Sequence, residues 1–255
     1  MVSLKYCILG VEGPHDQAFI GKLLKQQRLN EFNGQRDSID PFWEKFIPIY
    51  PRRGKLYDRL DMPSIFFSPT HSIAVYQGEG SNLYKNLKGR IKEHDPYVQD
   101  IHAFGLILDA DTFAPQQKAT EYVTELQEFY PSLVGEPGKI IAGKPRTGIY
   151  VLPDNKKQGT LDSILFDCAT VIYPDHKVGA IQFLDGLDNA HTSHWRPFDH
   201  EKAMVATIVS VLKPGASNTS SIAQDHWICE KTVNGVAEVE LLSEFLKNLL
   251  ELPEN

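Results

Sequence analysis

Cysteine is scarce: Cys7, Cys168 and Cys229 are the only three in 255 residues. Their wide spacing supplies neither a disulfide framework nor the paired arrangement of a zinc ribbon, so they read as reduced, mostly structural thiols. Long apolar runs are missing too. No stretch approaches the roughly 20 apolar residues that a membrane span needs, and the first strongly apolar segment, near Tyr6 to Val11, is too short for the core of a secretion signal. The expectation is a cytoplasmic protein with no membrane contact. An excess of basic charge is also absent, since 26 Lys and Arg against 33 Asp and Glu leave a net charge of -7. That argues against a broadly basic surface coating nucleic acid, because such affinity comes mainly from neutralised phosphates. It leaves room for a metal-dependent enzyme whose acidic site contributes to the charge. No internal repeat, low-complexity tract or P-loop stands out, and Gly78-Glu-Gly80 lacks the third glycine of a dinucleotide fingerprint. It reads as a tight strand-to-helix turn. His191-Thr-Ser-His194, with His200 beyond, has no cysteine or carboxylate completing a recognised zinc spacing. Trp43, Trp195 and Trp227 share no spacing and are assigned to packing.

What is present describes a globular chain: 42% of residues are hydrophobic and 23% charged, so a packed core is expected. The length suits one large domain, or a domain with a substantial appendage. Lys5-Tyr-Cys-Ile-Leu-Gly-Val11 is a continuous apolar run of the kind found in strands buried on both faces. Glu12-Gly-Pro-His-Asp16 follows, then an amphipathic stretch to Leu24, which reads as strand, turn and helix. Pro14 suits the opening of that helix and Asp16 its positive end. Residues from about 29 to 71 show no clean period and contain Pro41, Pro48, Pro51, Pro63 and Pro69, the mark of an insertion or flap. Further strands are predicted at residues 72–76, 103–108, 139–142 and 147–152, with helices at 83–92 and 115–129. Alternation of this kind implies an α/β fold, a parallel Rossmann-like sheet flanked by helices, over residues 1–155. From 156 to 255 helical patterns dominate, at 160–172, 175–187, 200–212 and 239–250, giving a helical C-terminal portion packed on the core or a small separate subdomain.

In an open parallel sheet ligands gather outside the carboxyl ends of the strands. Glu12 follows the first strand, while Asp109 and Asp111 follow the third. Two carboxylates of an Asp-x-Asp turn directed into one crevice repel each other unless a cation or proton intervenes. Mg2+ accepts such a site, using one or two carboxylates and taking its other oxygens from water or phosphate. On the residues alone, the aspartates also fit solvated turn residues or helix caps.

Val11-Glu12-Gly13 with Asp16, and Leu108-Asp109-Ala110-Asp111, resemble the motifs of the Toprim superfamily of topoisomerases, primases and small nucleases. The chain looks closest to an uncharacterised bacterial Toprim-related family with similarity to the nuclease domain of the OLD family. That family's glycine-leucine-acid segment would be Gly159-Thr-Leu-Asp162, with aspartate where glutamate is expected, and its lysine-bearing helix would supply Lys202 before Pro214-Gly215. The resemblance implies Mg2+- or Mn2+-dependent phosphoryl transfer or phosphodiester cleavage. Asp109, Asp111, Asp16 and Asp162 would hold one or two metals, Glu12 would act as general base, acid or bridging ligand, and Lys202 would stabilise charge on phosphate. A water nucleophile is simplest, since no second domain supplies a tyrosine. A non-catalytic module of the same shape, binding nucleic acid, nucleotide or a protein partner, is the rival reading, and a companion protein is compatible with either.

Contacts to nucleic acid would come from local basic clusters. Arg52, Arg53, Lys55 and Arg59 lie beside Tyr50 and Tyr57; Lys85, Lys88, Arg90 and Lys92 form a second group; Lys144 and Arg146 sit between late strands. Arginines near aromatics suit a backbone groove with base stacking, and each cluster alone also fits a solvated face.

Overall fold

The apolar runs form the middle of a seven-stranded sheet, ordered β2-β3-β4-β1-β5-β7-β6, in a computed structural model that describes residues 4–47 and 62–253. Four central strands run parallel: β4 (His71–Gln77), β1 (Lys5–Val11), β5 (Ala103–Asp109) and β7 (Arg146–Leu152). These are the strands expected from the sequence. The sheet is mixed, however, because β2 (Asn30–Glu31) and β3 (Ser64–Phe67) add antiparallel at one edge and β6 (Ile140–Ile141) at the other. The two extra edge strands come from the segment read as an insertion. At two and four residues they are too short to carry a period-2 signal.

Side chains alternate across the central strands and sort into two cores. Leu9 and Val11 of β1, Ile107 of β5 and Tyr150 and Leu152 of β7 face one layer of helices. Ile8, Phe104, Leu106, Leu108, Ile149 and Val151 face the other. The first layer holds α1 (Pro14–Gln26), α5 (Leu161–Ile172), α6 (Pro174–Asp185), α8 (Asp199–Leu212), α9 (Asn218–Gln224), α10 (Glu230–Gly235) and α11 (Ala237–Leu250). The helical C-terminal stretch therefore shares one core with the sheet. α11 lies close on β5 and β7 because glycines leave room: a Cβ on Gly105 would sit 2.5 Å from Leu249 Cδ2, and one on Gly148 would sit 3.0 Å from Phe245 Cζ.

The second layer holds α2 (Leu83–Lys92), the short α3 (Pro96–Gln99) and α4 (Pro115–Leu126). Trp43, Phe46 and Ile47, from the segment after β2, complete this core. Trp43 is fully buried, and its Nε1 donates to Ser72 Oγ at 2.8 Å, so the indole N–H is satisfied away from water. The short α7 (Asn189–Thr192) lies on the connection between α6 and α8. No described helix is long and apolar enough to cross a membrane.

This topology decides where a site can lie. β1 leads to β4 on one side, and the chain then crosses to β5 on the other, so the strand order reverses between β1 and β5. Crevices of open α/β sheets form at such reversals, outside the carboxyl ends. Val11 and Asp109 end the two strands at that point.

Candidate functional site

Each acid reaches the crevice by a local route. Glu12 immediately follows β1. Asp16 is the third residue of α1, and its Oδ2 accepts from the backbone N–H of Gly13 at 2.8 Å, closing the turn over that helix end. Asp109 is the last residue of β5, and its Oδ1 accepts from Leu161 N–H at 2.9 Å, which pins the first residue of α5 to the strand end. Asp111 has a left-handed backbone, φ 50°, and exchanges two hydrogen bonds with Gly159, at 2.9 and 3.1 Å. Aspartate tolerates this conformation better than most residues but at a cost, and such outliers cluster at functional sites.

The carboxyls act on one another. Burial raises the pKa of Asp109 well above the ordinary range, and Asp16, Glu12 and Asp111 add to the effect in that order. Burial followed by the Glu12 charge pushes Asp16 up to about 7. Glu12 is also raised, by burial, although the ammonium of Lys118 opposes the shift. These directions mean that burial, and after it the neighbouring carboxyls, disfavour the charged form of each acid.

Lys118, on α4, is the resident counter-ion, and sequence reasoning missed it. Its Nζ lies 3.0 Å from Glu12 Oε1 and 3.9 Å from Asp111 Oδ2. The approach to Glu12 is a short ion pair between two largely buried side chains. Burial disfavours the ammonium, but Glu12 and Asp111 outweigh it and the Lys118 pKa is raised. One signal pointed to it: a lysine four residues into a helix faces the positive end of the helix dipole and needs a partner.

A second group adjoins the first. Asp162 is the second residue of α5, beside the Leu161 amide that binds Asp109, and is 8% exposed. Burial raises its pKa against the pull of His15 and Lys202. Burial lowers the pKa of half-buried His15, which Asp162 partly restores. Lys202, exposed on α8, is thus within electrostatic reach of Asp162 and His15. His15 was also missed, although it stands between Glu12 and Asp16, in the first turn of α1.

The basic clusters fare unevenly. Lys85 is exposed on α2. Lys88 is tied to Glu125 of α4 at 2.7 Å, a helix-to-helix ion pair rather than a free contact. Arg146 and Lys144 do not belong to the crevice. Arg146 begins β7, at the end of the parallel sheet opposite Asp109. Its Nε and Nη2 donate to the carbonyls of Leu249 and Asn248 at 3.1 and 2.9 Å, closing the last turn of α11. Lys144 lies in the same far connection. Arg52 and Arg53, with Lys55 and Arg59, fall outside the described residues. Among the described residues, no group of three or more His, Cys, Asp or Glu side chains converges into a ready cage for a metal ion.

Residues 6–251 match the family DUF3226, described as proteins of unknown function. The chain belongs to that family. In fold, the chain is similar to the crystal structure of hypothetical protein PH0156 from Pyrococcus horikoshii OT3. The TM-score is 0.56 at 16% identity, over 97% of this chain and 98% of that one. The Rossmann-like α/β architecture is thereby shared along the whole length of both proteins. No curated protein matches the sequence.

Proposed function

We propose that the chain is a metal-dependent phosphoryl-transfer enzyme of the Toprim type, a cytoplasmic nuclease acting on nucleic-acid phosphodiesters. The observation that supports this best is the Asp109 carboxyl, which ends a central strand at the reversal point and meets the charges of Asp16, Glu12 and Asp111. A cluster of buried acids with one lysine among them is costly to fold and needs a reason. Divalent metal is the economical one.

The donor set fits Mg2+ or Mn2+ more readily than a metal demanding an all-protein cage. Mg2+ keeps several waters and needs only one or two carboxylates, with phosphate oxygens completing its shell. Asp109 and Asp111 would hold the ion, with Asp16 or Glu12 beside it. Bound there, the metal would polarise a phosphoryl oxygen and help generate hydroxide from water. Glu12, whose pKa is raised by burial against the pull of Lys118, would serve as general base or acid. Lys202, within electrostatic reach of Asp162 and His15, would add positive charge toward a phosphate.

One observation favours a second reading. Lys118 already gives Glu12 and Asp111 a cation, which suits a non-catalytic module whose acids are partly neutralised internally. Calorimetric titration with Mn2+ and Mg2+ separates the two. Wild type should bind, and a folded Asp109→Asn/Asp111→Asn variant should not. Binding should accompany Mn2+-dependent cleavage of single- or double-stranded DNA or RNA. A wild-type protein that takes up neither ion, even with nucleic acid present, would rule out the enzyme reading.

A further inference from the structure

A polar cleft of about 440 Å³ opens beside the acidic centre, between the carboxyl end of β4 and helix α2. The loop joining those elements is bonded to the centre, since Gly80 N–H donates to Glu12 O at 2.7 Å and Gly78 N–H to Val11 O at 3.0 Å. The loop that carries Glu79 of the cleft is thus tied to the backbone at Glu12.

Three features of α2 point to an occupant. Lys85 and Arg90 both line the cleft, and neither forms an ion pair with a described residue, unlike Lys88 on the same helix. Between them Gly89 lines the cleft from the interior of a ten-residue helix, where glycine is the poorest choice after proline. Packing among the described residues does not require it: a Cβ built on Gly89 meets none of their heavy atoms within 4 Å, and its φ is not left-handed. A glycine that no neighbour demands, facing open space between two free cations, allows a ligand to approach the helix backbone closely. Glu79 and Glu93 also line the cleft. Its charge is thus balanced, which suits one phosphate group rather than a run of phosphates.

We infer that this cleft is a phosphate subsite, with Lys85 and Arg90 taking a single phosphate of a nucleotide unit over Gly89, next to the acidic centre. The identity of the ligand rests on the nuclease reading; the geometry of the cleft does not. The phosphate could belong to a nucleic-acid strand or to a free nucleotide, and the two sources are separable.

The test is fluorescence anisotropy of a labelled short single-stranded oligodeoxynucleotide on the full chain, in EDTA so that nothing is cleaved, with AMP as competitor. Gly89→Leu, which fills the cleft, should weaken binding about tenfold or more, a loss in the range of one good contact. Gly89→Ala should raise Tm, confirming that glycine is not there for the fold. Lys85→Ala/Arg90→Ala should lower the slope of log K against log salt by about 1, as expected when one phosphate contact is lost. Displacement by AMP would assign a nucleotide end, and no displacement an internal strand phosphate. Wild type binding neither probe, or both cleft variants binding as wild type does, would overturn the inference. Manganese titration of the same proteins keeps the readings apart. Gly89→Leu should retain metal binding, and loss of oligonucleotide binding by cleft variants of a protein that takes up no metal would sink only the enzyme reading.

Discussion

Replacing Asp16 with asparagine should stabilise the metal-free protein at pH 8 and leave it unchanged or slightly weakened at pH 4. Asp16 is 7% exposed, and its pKa rises from 3.8 to about 7 on folding, because burial and then the Glu12 charge disfavour its ionised form. Below pH 3.8 the residue is protonated in both states and costs nothing. As pH rises toward about 7 the unfolded chain releases the proton first, and stability is lost throughout that interval. Above it the penalty levels off at about 4 kcal/mol, taking about 1.4 kcal/mol per tenfold change in proton affinity. Asparagine keeps an oxygen for the Gly13 N–H, now bonded at 2.8 Å, and that bond's support of the charged form is already contained in the raised pKa. The net gain at pH 8 is then at most about 4 kcal/mol, or about 8–16 °C in Tm for a chain of this size. Thermal melts in EDTA across pH 4 to 8 read this directly. A variant that melts below wild type at pH 8, or that shows the same offset at both ends, would refute the reasoning. With saturating Mn2+ the ranking should reverse, because wild type would gain binding energy that the variant cannot match.

Two further substitutions probe the remaining structure. Lys118→Met should cost about 2–4 kcal/mol at pH 8 by stranding the Glu12 charge, and the cost should shrink on acidification and in a Glu12→Gln background; urea unfolding of the four proteins gives the coupling. Arg146→Ala should cost about 1–3 kcal/mol by releasing the carbonyls of Leu249 and Asn248, with oligonucleotide affinity unchanged; a measured loss of affinity would return Arg146 to the binding surface.

The four parallel strands were legible because each is a short apolar run bounded by turn residues, and their burial on both faces leaves that signature in the chain itself. Glu12, Asp109 and Asp111 were legible for a related reason: they directly follow such runs, and chain direction alone puts them at the carboxyl end. The same rule, applied to Arg146, would have excluded it, because the first residue of a parallel strand faces the opposite end. β2 and β3 escaped notice since two to four residues carry no period, whereas β6 falls within the strand expected at 139–142. The pairing of Lys88 with Glu125 depends on how α2 meets α4, which local pattern does not encode.

Local order along the chain was enough to specify strand, turn and helix, and to set an acid at the end of each of two strands, because those features depend on neighbours a few residues apart. The fold decided which acids meet. Strand order brought β1 beside β5, the docking of α5 put Leu161 against Asp109, and the placement of α4 carried Lys118 to Glu12. These contacts join residues about 50 to 100 positions apart, and the charge balance of the centre, as well as the cleft beside it, exists only once the helices have packed on the two faces of the sheet.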